Sequence, residues 1–104
     1  MGRPGYLRTD DPNYTRLWKQ WFRAVIPQIR PYQIGGRQHG SVVLVMAENE
    51  YPGSGAGAAR YADDLYTTLR ADGITVPISA NDFADQPGLP LEPRVDVYGF
   101  DQYP

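Results

Sequence analysis

The spacing of hydrophobic and polar positions predicts an amphipathic helix in the first third of the chain. The pair Asp11-Pro12 is typical of a helix start, because an acid can cap the helix and proline fits its first turn. Pro27 is expected to kink this helix or to mark the start of its last turn. The apolar positions recur every three or four residues, which indicates one broad face that packs on a large surface. They are Tyr14, Leu17, Trp18, Trp21, Phe22, Val25, Ile26 and Ile29.

A second helix is predicted further along, ending at about Asp72 with Gly73 in the position of a C-terminal cap. Two apolar stretches that follow it, residues 74–79 and 95–100, are predicted strands. The proline-rich segment 81–94 between them is predicted to be a loop. The apolar face of the second helix consists of Ala58, Tyr61, Ala62, Leu65 and Leu69.

The most informative run is a short apolar segment, Val42 to Ala47, that leads directly into two carboxylates and an amide. Its β-branched residues predict a strand buried on both faces, as in a parallel sheet covered by helices. Glu48, Asn49 and Glu50 then stand at the carboxyl end of that strand, where α/β folds keep their chemistry. A carboxylate there is costly to bury unless it is paired or used.

The predicted elements follow the order helix, strand, helix, strand, loop, strand. A strand, a helix and a second strand in succession form a right-handed parallel unit in nearly all proteins. A sheet of three parallel strands leaves two unprotected edges, and the last strand has no covering helix. The sequence therefore predicts an α/β fold in which residues 1–104 are a piece of a larger domain.

Composition excludes several classes of function. Without cysteine there are no disulfides, no cysteine-bound zinc and no thiol catalysis. Ten basic and twelve acidic residues are scattered in both signs, so nucleic acid is not an expected partner. The apolar runs are too short to cross a bilayer, so no membrane partner is expected, and the chain carries no secretory signal. A signal, if the parent protein is secreted, lies outside this chain. His39 lies in a polar loop, so we expect it to be solvated and not to act as a metal ligand or a catalytic residue.

The acids after the first strand suit the hydrolysis of a glycosidic bond. That reaction needs one carboxyl group to protonate the leaving oxygen and another to attack or to activate water. Glu50 fits the proton donor, and Asn49 beside it suits a hydrogen bond to a sugar hydroxyl. Four aromatic residues offer flat faces or phenol groups to sugar rings, and Tyr103 is the one expected to face the site; the others are Tyr51, Tyr98 and Phe100.

The segment Val-Met-Ala-Glu-Asn-Glu-Tyr resembles the Glu-Asn-Glu-Tyr motif of family 35 glycoside hydrolases, the β-galactosidases. The stretch Tyr-Gly-Phe-Asp-Gln-Tyr-Pro near the end resembles a strand and its following loop in large fungal and bacterial members. Met46 and Pro52 depart from the usual glutamine and glycine, in places that affect the sugar subsite more than the acid. The similar segments are spread along almost the whole chain: the aromatic helix and residues 7–14, 45–51, 74–78, 81–82 and 95–104.

This resemblance implies a (β/α)8 barrel and a retaining mechanism that releases terminal β-D-galactose from an oligosaccharide or polysaccharide. It implies that Glu50 is the acid/base, that Asn49 contacts the sugar and that Tyr103 lies near the nucleophile. It implies no metal and no cofactor. The nucleophilic glutamate of the family belongs to a later strand, beyond Pro104.

A complete barrel takes about 250 residues, so the chain corresponds to a fragment running from the helix after strand three to strand six. Glu48 does not suit the partner role, because a retaining pair sits about 5 Å apart on different strands. Glu48 is expected to share a face with Glu50 and to have its charge met by an arginine or by backbone donors. The isolated fragment is expected to be inactive.

Three alternatives remain at this point. The glycine-rich segment 53–57 lies between a strand and a helix, as in nucleotide-binding folds, but its spacing does not fit G-x-G-x-x-G. A non-catalytic remnant that binds sugar weakly, or not at all, is the second. A barrel of the same clan that acts on a different sugar is the third; the Tyr-Gly-x-Asp-x-Tyr-Pro stretch favours galactose.

Overall fold

The computed structural model describes residues 7–83 and 90–104, which form a small α/β unit. Two long helices and three short strands alternate along the chain. Single turns of 3-10 helix at Arg30–Tyr32 and Glu92–Arg94 connect them. The elements are α1 (Pro12–Ile29), β1 (Val45–Asn49), α2 (Gly55–Asp72), β2 (Ile78–Phe83) and β3 (Val97–Asp101).

The three strands form one parallel sheet in the order β1-β2-β3, which confirms the predicted strand direction. Val45 lies opposite Ile78, and Ala80 lies opposite Tyr98. Parallel pairing brings the carboxyl ends of all three strands to the same edge of the sheet. Three parallel strands with two helices are compatible with part of a barrel.

Both helix boundaries follow the predicted chemistry. The Asp11 carboxylate accepts hydrogen bonds from the backbone N–H groups of Asn13 and Tyr14, which confirms the N-terminal cap of α1. Pro27 lies in the last turn of α1. Gly73 ends α2 with a φ of +114°, a left-handed conformation that suits glycine.

The core lies between the helices and one face of the sheet. All five residues of the predicted apolar face of α2 are buried, as expected. Aromatic rings fill the space toward α1: Trp18 meets Phe22 with ring centroids 5.1 Å apart, and Tyr51 meets Tyr61 at 5.3 Å. This packing fixes α2 directly behind the end of β1.

The prediction that residues 42–47 form a strand buried on both faces is wrong. The strand begins at Val45, after an isolated bridge between Val42 and Gln33, and Met46 is 53% exposed while Val45 and Ala47 pack against the core. The physical reason is that the helices cover only one face of the sheet in the described residues. Other exposed apolar side chains are Val43, Leu44, Val97 and Phe100.

The predicted second strand, residues 74–79, is also displaced: β2 begins at Ile78. The preceding backbone is bound by side chains instead of a strand. The Gln33 Oε1 atom accepts the N–H groups of Thr75 and Val76, and Arg70 donates to the carbonyls of residues 74 and 76. Pro77 then has no N–H to give to a ladder.

This displacement carries β2 four residues beyond its predicted end and corrects the start of the predicted loop 81–94. Asn81 and Asp82 lie in β2. Of the rest of that loop, residues 84–89 fall outside the described part, and Glu92–Arg94 form a 3-10 turn. The third strand begins at Val97 instead of Val95.

The Gln33 side chain binds the backbone before β2 although it lies far away in the sequence, and replacing it tests whether these hydrogen bonds stabilise that segment. The side chain is 1% exposed, and its Nε2 atom donates to the carbonyls of Arg30 and Gly73. Gln33→Met keeps the volume but leaves buried backbone groups unpaired, so we expect the free energy of unfolding to fall by about 2–4 kcal/mol. Urea denaturation measures this change.

Gln28→Met is the matched control, because the exposed Gln28 side chain donates to the carbonyl of Ala24 one turn back and to no other group in residues 7–83 and 90–104. We expect it to change stability by less than about 0.5 kcal/mol. Equal losses in the two variants would contradict the anchoring role of Gln33.

Candidate active site

Glu50 follows the last residue of β1 and adopts an unusual backbone conformation. Its φ is +52°, in the left-handed region that side-chain-bearing residues seldom occupy. The Glu50 N–H donates to the Asn81 carbonyl at 2.5 Å, and the next N–H, of Tyr51, donates to Asp82 Oδ1 at 3.1 Å. The end of β2 therefore sets the direction in which the chain leaves β1.

The side chain of Glu50 meets Tyr103, another residue that the sequence predicted for the site. The Tyr103 phenol donates to Glu50 Oε1 at 2.6 Å, although the two residues are 53 positions apart. Tyr103 is 68% exposed, so this contact stands open to solvent. The hydrogen bond and the nearby carboxylate charge raise the pKa of Tyr103, because both disfavour the phenolate.

Asn49 lies at the same edge of the sheet. Its side-chain Oδ1 accepts from the Asn81 amide at 3.2 Å, and its backbone carbonyl accepts from Arg8 at 2.9 Å. The residue is exposed, which leaves the amide accessible from solvent. The structure thus brings together Asn49, Glu50 and Tyr103 around the carboxyl ends of the strands.

Glu48 has a structural partner, as expected. Arg8 binds it with two nitrogens, Nε at 3.0 Å and a terminal nitrogen at 2.7 Å, and the Tyr61 phenol donates to it at 2.8 Å. The carboxylate raises the pKa of Arg8, while burial first and the Glu48 charge second raise the pKa of Tyr61. The Glu48 side chain is only 10% exposed and is fully engaged.

The expectation that Glu48 and Glu50 share a face is wrong. Glu48 reaches back to Tyr61 on α2, whereas Glu50 reaches Tyr103 beyond β3. The pairing of β1 is irregular between Met46 and Glu48, and the left-handed turn at Glu50 redirects the chain, so simple alternation fails here.

Sequence reasoning missed Asp82. This carboxylate is fully buried; Oδ1 accepts the Tyr51 N–H, and Oδ2 accepts the Tyr98 phenol at 2.9 Å. Burial and the hydrogen bond to Asp82 raise the pKa of Tyr98 to about 12. The available signal was an acid immediately after Ile78-Ser-Ala-Asn, hidden because the strand was predicted four residues too early.

A cleft of about 560 Å³ lies beside this edge, between the segment 7–10 and the loop 51–58. Arg8 spans its wall and stands over the Tyr51 ring at 5.4 Å. Glu50 is not among the lining residues, so the cleft is not where its carboxylate would act.

The cleft also bears on nucleotide binding by the glycine-rich loop. The Asp10 carboxylate lies at the first turn of α2, where a Cβ on Gly57 would come within 3.0 Å of it. Asp10 also pairs with Arg60 at 2.8 Å. A carboxylate in that place repels the phosphate that such a loop would have to bind.

Neither a metal site nor a membrane span emerges from the described part of the chain. No group of three or more metal-ligating side chains occurs within residues 7–83 and 90–104. Across those same residues, neither helix is long and apolar enough to cross a bilayer.

Comparison with known families settles the relationship. The model for glycosyl hydrolases family 35 matches residues 2–90, most of the chain. The chain belongs to this family.

Three curated relatives of this family 35 chain come from fungi. It is 32% identical to "Probable beta-galactosidase B" of Sclerotinia sclerotiorum over 124 aligned positions, and 31% identical to "Probable beta-galactosidase B" of Talaromyces marneffei over 123. "Probable beta-galactosidase C" of Sclerotinia sclerotiorum is 31% identical over 118. Each alignment covers 99% of this chain but only 11–12% of the relative, so the chain spans about an eighth of their length.

The family 35 match includes Glu48, Asn49 and Glu50 but ends at residue 90, before β3. Tyr103 lies beyond it, within the part that only the longer fungal alignments reach. The contact between Glu50 and Tyr103 therefore joins the family-matched region to the segment that follows it.

The contact between Glu50 and Tyr103 can be tested through the pKa of the Tyr103 phenol. Glu50→Gln removes the negative charge and weakens the hydrogen bond, so the pKa of Tyr103 should fall toward the ordinary value of about 10. In the unchanged protein the Tyr103 phenol donates this hydrogen bond below its raised pKa, and the bond is lost as the pH rises through that pKa. Titration of ¹³Cζ-labelled tyrosine by NMR measures the shift.

Asp101→Asn is the control for charge alone, since Asp101 contributes the smallest of the effects on Tyr103. We expect it to move the pKa less than Glu50→Gln does. If the pKa of Tyr103 is the same in Glu50→Gln as in the unchanged protein, the two side chains are not in contact.

Proposed function

We propose that this chain is a fragment of the catalytic domain of a retaining β-galactosidase and that it supplies the acid/base, Glu50. The observation that carries this proposal is the position of the Glu50 carboxylate, at the carboxyl end of a parallel strand and within 2.6 Å of the Tyr103 phenol. Family membership and the names of the fungal relatives support a galactoside as the substrate.

The proposed reaction has two steps, and Glu50 moves a proton in each. In the first, Glu50 gives its proton to the glycosidic oxygen while a nucleophilic carboxylate attacks the anomeric carbon. In the second, Glu50 takes a proton from the water that attacks the glycosyl-enzyme bond. Because Tyr103 donates to Oε1, Oε2 is the oxygen that carries the transferred proton.

Asn49 and Tyr103 have separate roles in this proposal. The exposed Asn49 amide lies beside Glu50 and binds a hydroxyl of the galactose ring. Tyr103 orients the Glu50 carboxylate and faces the side from which the nucleophile approaches. Both contacts come from strand ends, so the sheet fixes their spacing.

The nucleophile is proposed to lie outside the chain. Glu48 is held by Arg8 and Tyr61 and points back toward α2, whereas Glu50 points toward Tyr103, so Glu48 does not face the sugar carbon that Glu50 serves. A retaining pair requires carboxyl groups about 5 Å apart on different strands.

The open sheet supports the fragment proposal. Met46 and Phe100 are more than half exposed, and β1 and β3 lie at the edges of the described sheet. The alignments cover only 11–12% of the fungal relatives, so in a complete protein these surfaces would be covered by elements from outside residues 1–104. In a (β/α)8 barrel we assign β1, β2 and β3 to strands four, five and six.

Replacing the proposed acid in the complete protein tests its role. In Glu50→Gln we expect kcat for a methyl or phenyl β-galactoside to fall by about 10²–10⁴-fold, because the leaving oxygen needs a proton. A dinitrophenyl β-galactoside should keep its rate of glycosyl-enzyme formation, because its leaving group departs unprotonated. Pre-steady-state release of the phenol measures that step.

Glu92→Gln is the matched control, because Glu92 is an exposed glutamate outside this edge of the sheet. It should leave both substrates unaffected. Equal losses on both substrates in Glu50→Gln would contradict the assignment of Glu50 as the acid.

The chain of residues 1–104 alone provides a second test. Without a nucleophile it should not hydrolyse a nitrophenyl β-galactoside above the background rate. Turnover that survives purification and disappears in Glu50→Gln would overturn the fragment proposal.

A further inference from the structure

The backbone of Glu50 needs to be held in place. At a φ of +52° its Cβ crowds the neighbouring carbonyl, a cost that glycine would not incur. Such conformations persist only where surrounding contacts enforce them, and they concentrate at functional sites. The contacts on both sides of residue 50 are therefore informative.

Two consecutive N–H groups are fixed by consecutive residues at the end of β2. Glu50 donates to the carbonyl of Asn81, and Tyr51 donates to the carboxylate of Asp82. The first is an ordinary backbone contact that any residue at position 81 supplies. The second depends on one side chain.

Accepting the Tyr51 N–H with the Asp82 carboxylate costs folding free energy, because the carboxylate loses its hydration. It is fully buried, and within the described residues it takes part in no ion pair. Its two oxygens are bound by neutral donors, the Tyr51 N–H and the Tyr98 phenol. A buried carboxylate without a cation costs stability, so packing alone does not account for an acid here.

We propose that Asp82 is a positioning residue: by holding the Tyr51 N–H, it keeps Glu50 in the left-handed turn that directs the Glu50 carboxylate toward Tyr103. Its relevance to catalysis rests on the proposed role of Glu50. Its test needs no turnover, so the two proposals can fail separately.

Amide hydrogen exchange in the 104-residue chain reads the hold directly. In Asp82→Ala we expect the Tyr51 amide to exchange about 10–100-fold faster, because a hydrogen bond to a charged acceptor is lost. The pKa of the Tyr103 phenol shows whether the Glu50 carboxylate is still beside it, since Glu50 raises that pKa. If the turn relaxes, the pKa of Tyr103 should fall toward its ordinary value.

A glycine at position 50 distinguishes a positioning role of Asp82 from a purely structural role. If Asp82→Ala lets the turn relax, the residue 50 amide should also lose the protection that its hydrogen bond to Asn81 gives. Glu50→Gly removes the cost of the left-handed turn, so adding it to Asp82→Ala should restore that protection. A merely structural role for Asp82 predicts no such rescue. Failure of glycine to restore that protection overturns the proposal.

Asp82→Asn decides the matter if Asp82→Ala does not fold. Its neutral oxygen is a weaker acceptor, so we expect Tyr51 exchange to quicken by about tenfold and the pKa of Tyr103 to fall. Unchanged values for both in Asp82→Asn contradict the proposal. Asp64→Asn, which removes a partly buried carboxylate of α2 that pairs with Lys19 of α1, should leave both values unchanged.

Discussion

Parallel pairing of β1 with β2 places the ends of two strands side by side, and the candidate chemistry depends on that arrangement. Without this pairing, the N–H groups of Glu50 and Tyr51 would lose the partners that they have on β2. Asn81 and Asp82 accept the N–H groups of Glu50 and Tyr51, while Asn81 also meets the Asn49 side chain. The register of one strand pair therefore determines the direction of the proposed acid.

Two glutamates two positions apart have opposite surroundings, and this contrast defines the site. Glu48 is buried against Arg8 and Tyr61, so its charge stabilises the junction of the amino-terminal segment, β1 and α2. Among the described residues, the only hydrogen-bond partner of the Glu50 side chain is the Tyr103 phenol at the open edge. A buried, paired carboxylate contributes to stability, whereas one that keeps an accessible oxygen can exchange protons with a substrate.

The sequence was sufficient for the elements whose signals are local. The cap at Asp11, the apolar face of α2 and the terminating Gly73 each depend on neighbouring residues, and each is as predicted. The start of β2 was not predictable in this way. Its position depends on Gln33, which binds the backbone of Thr75 and Val76, 42 and 43 positions later, in a segment that hydrophobicity alone assigned to a strand.

The site divides along the same line. Glu50, Asn49 and Tyr103 follow from motif and spacing, although their roles stay predictions until they are measured. Arg8 and Asp82 were missed because both act through distant partners, Glu48 and Tyr51, and because the turn at Glu50 breaks strand alternation. Long-range hydrogen bonds to backbone groups leave no periodic trace in a sequence.

The central claim is that Glu50 works with a nucleophile supplied from outside residues 1–104. A 2-deoxy-2-fluoro-β-galactosyl fluoride traps the nucleophile of a retaining enzyme as a covalent ester, and peptide mass spectrometry of the complete protein locates it. This account predicts a label on a glutamate beyond Pro104, with its carboxyl group about 5 Å from that of Glu50 in the trapped structure. A label on Glu48 or Glu50, or a separation near 9 Å, would contradict it.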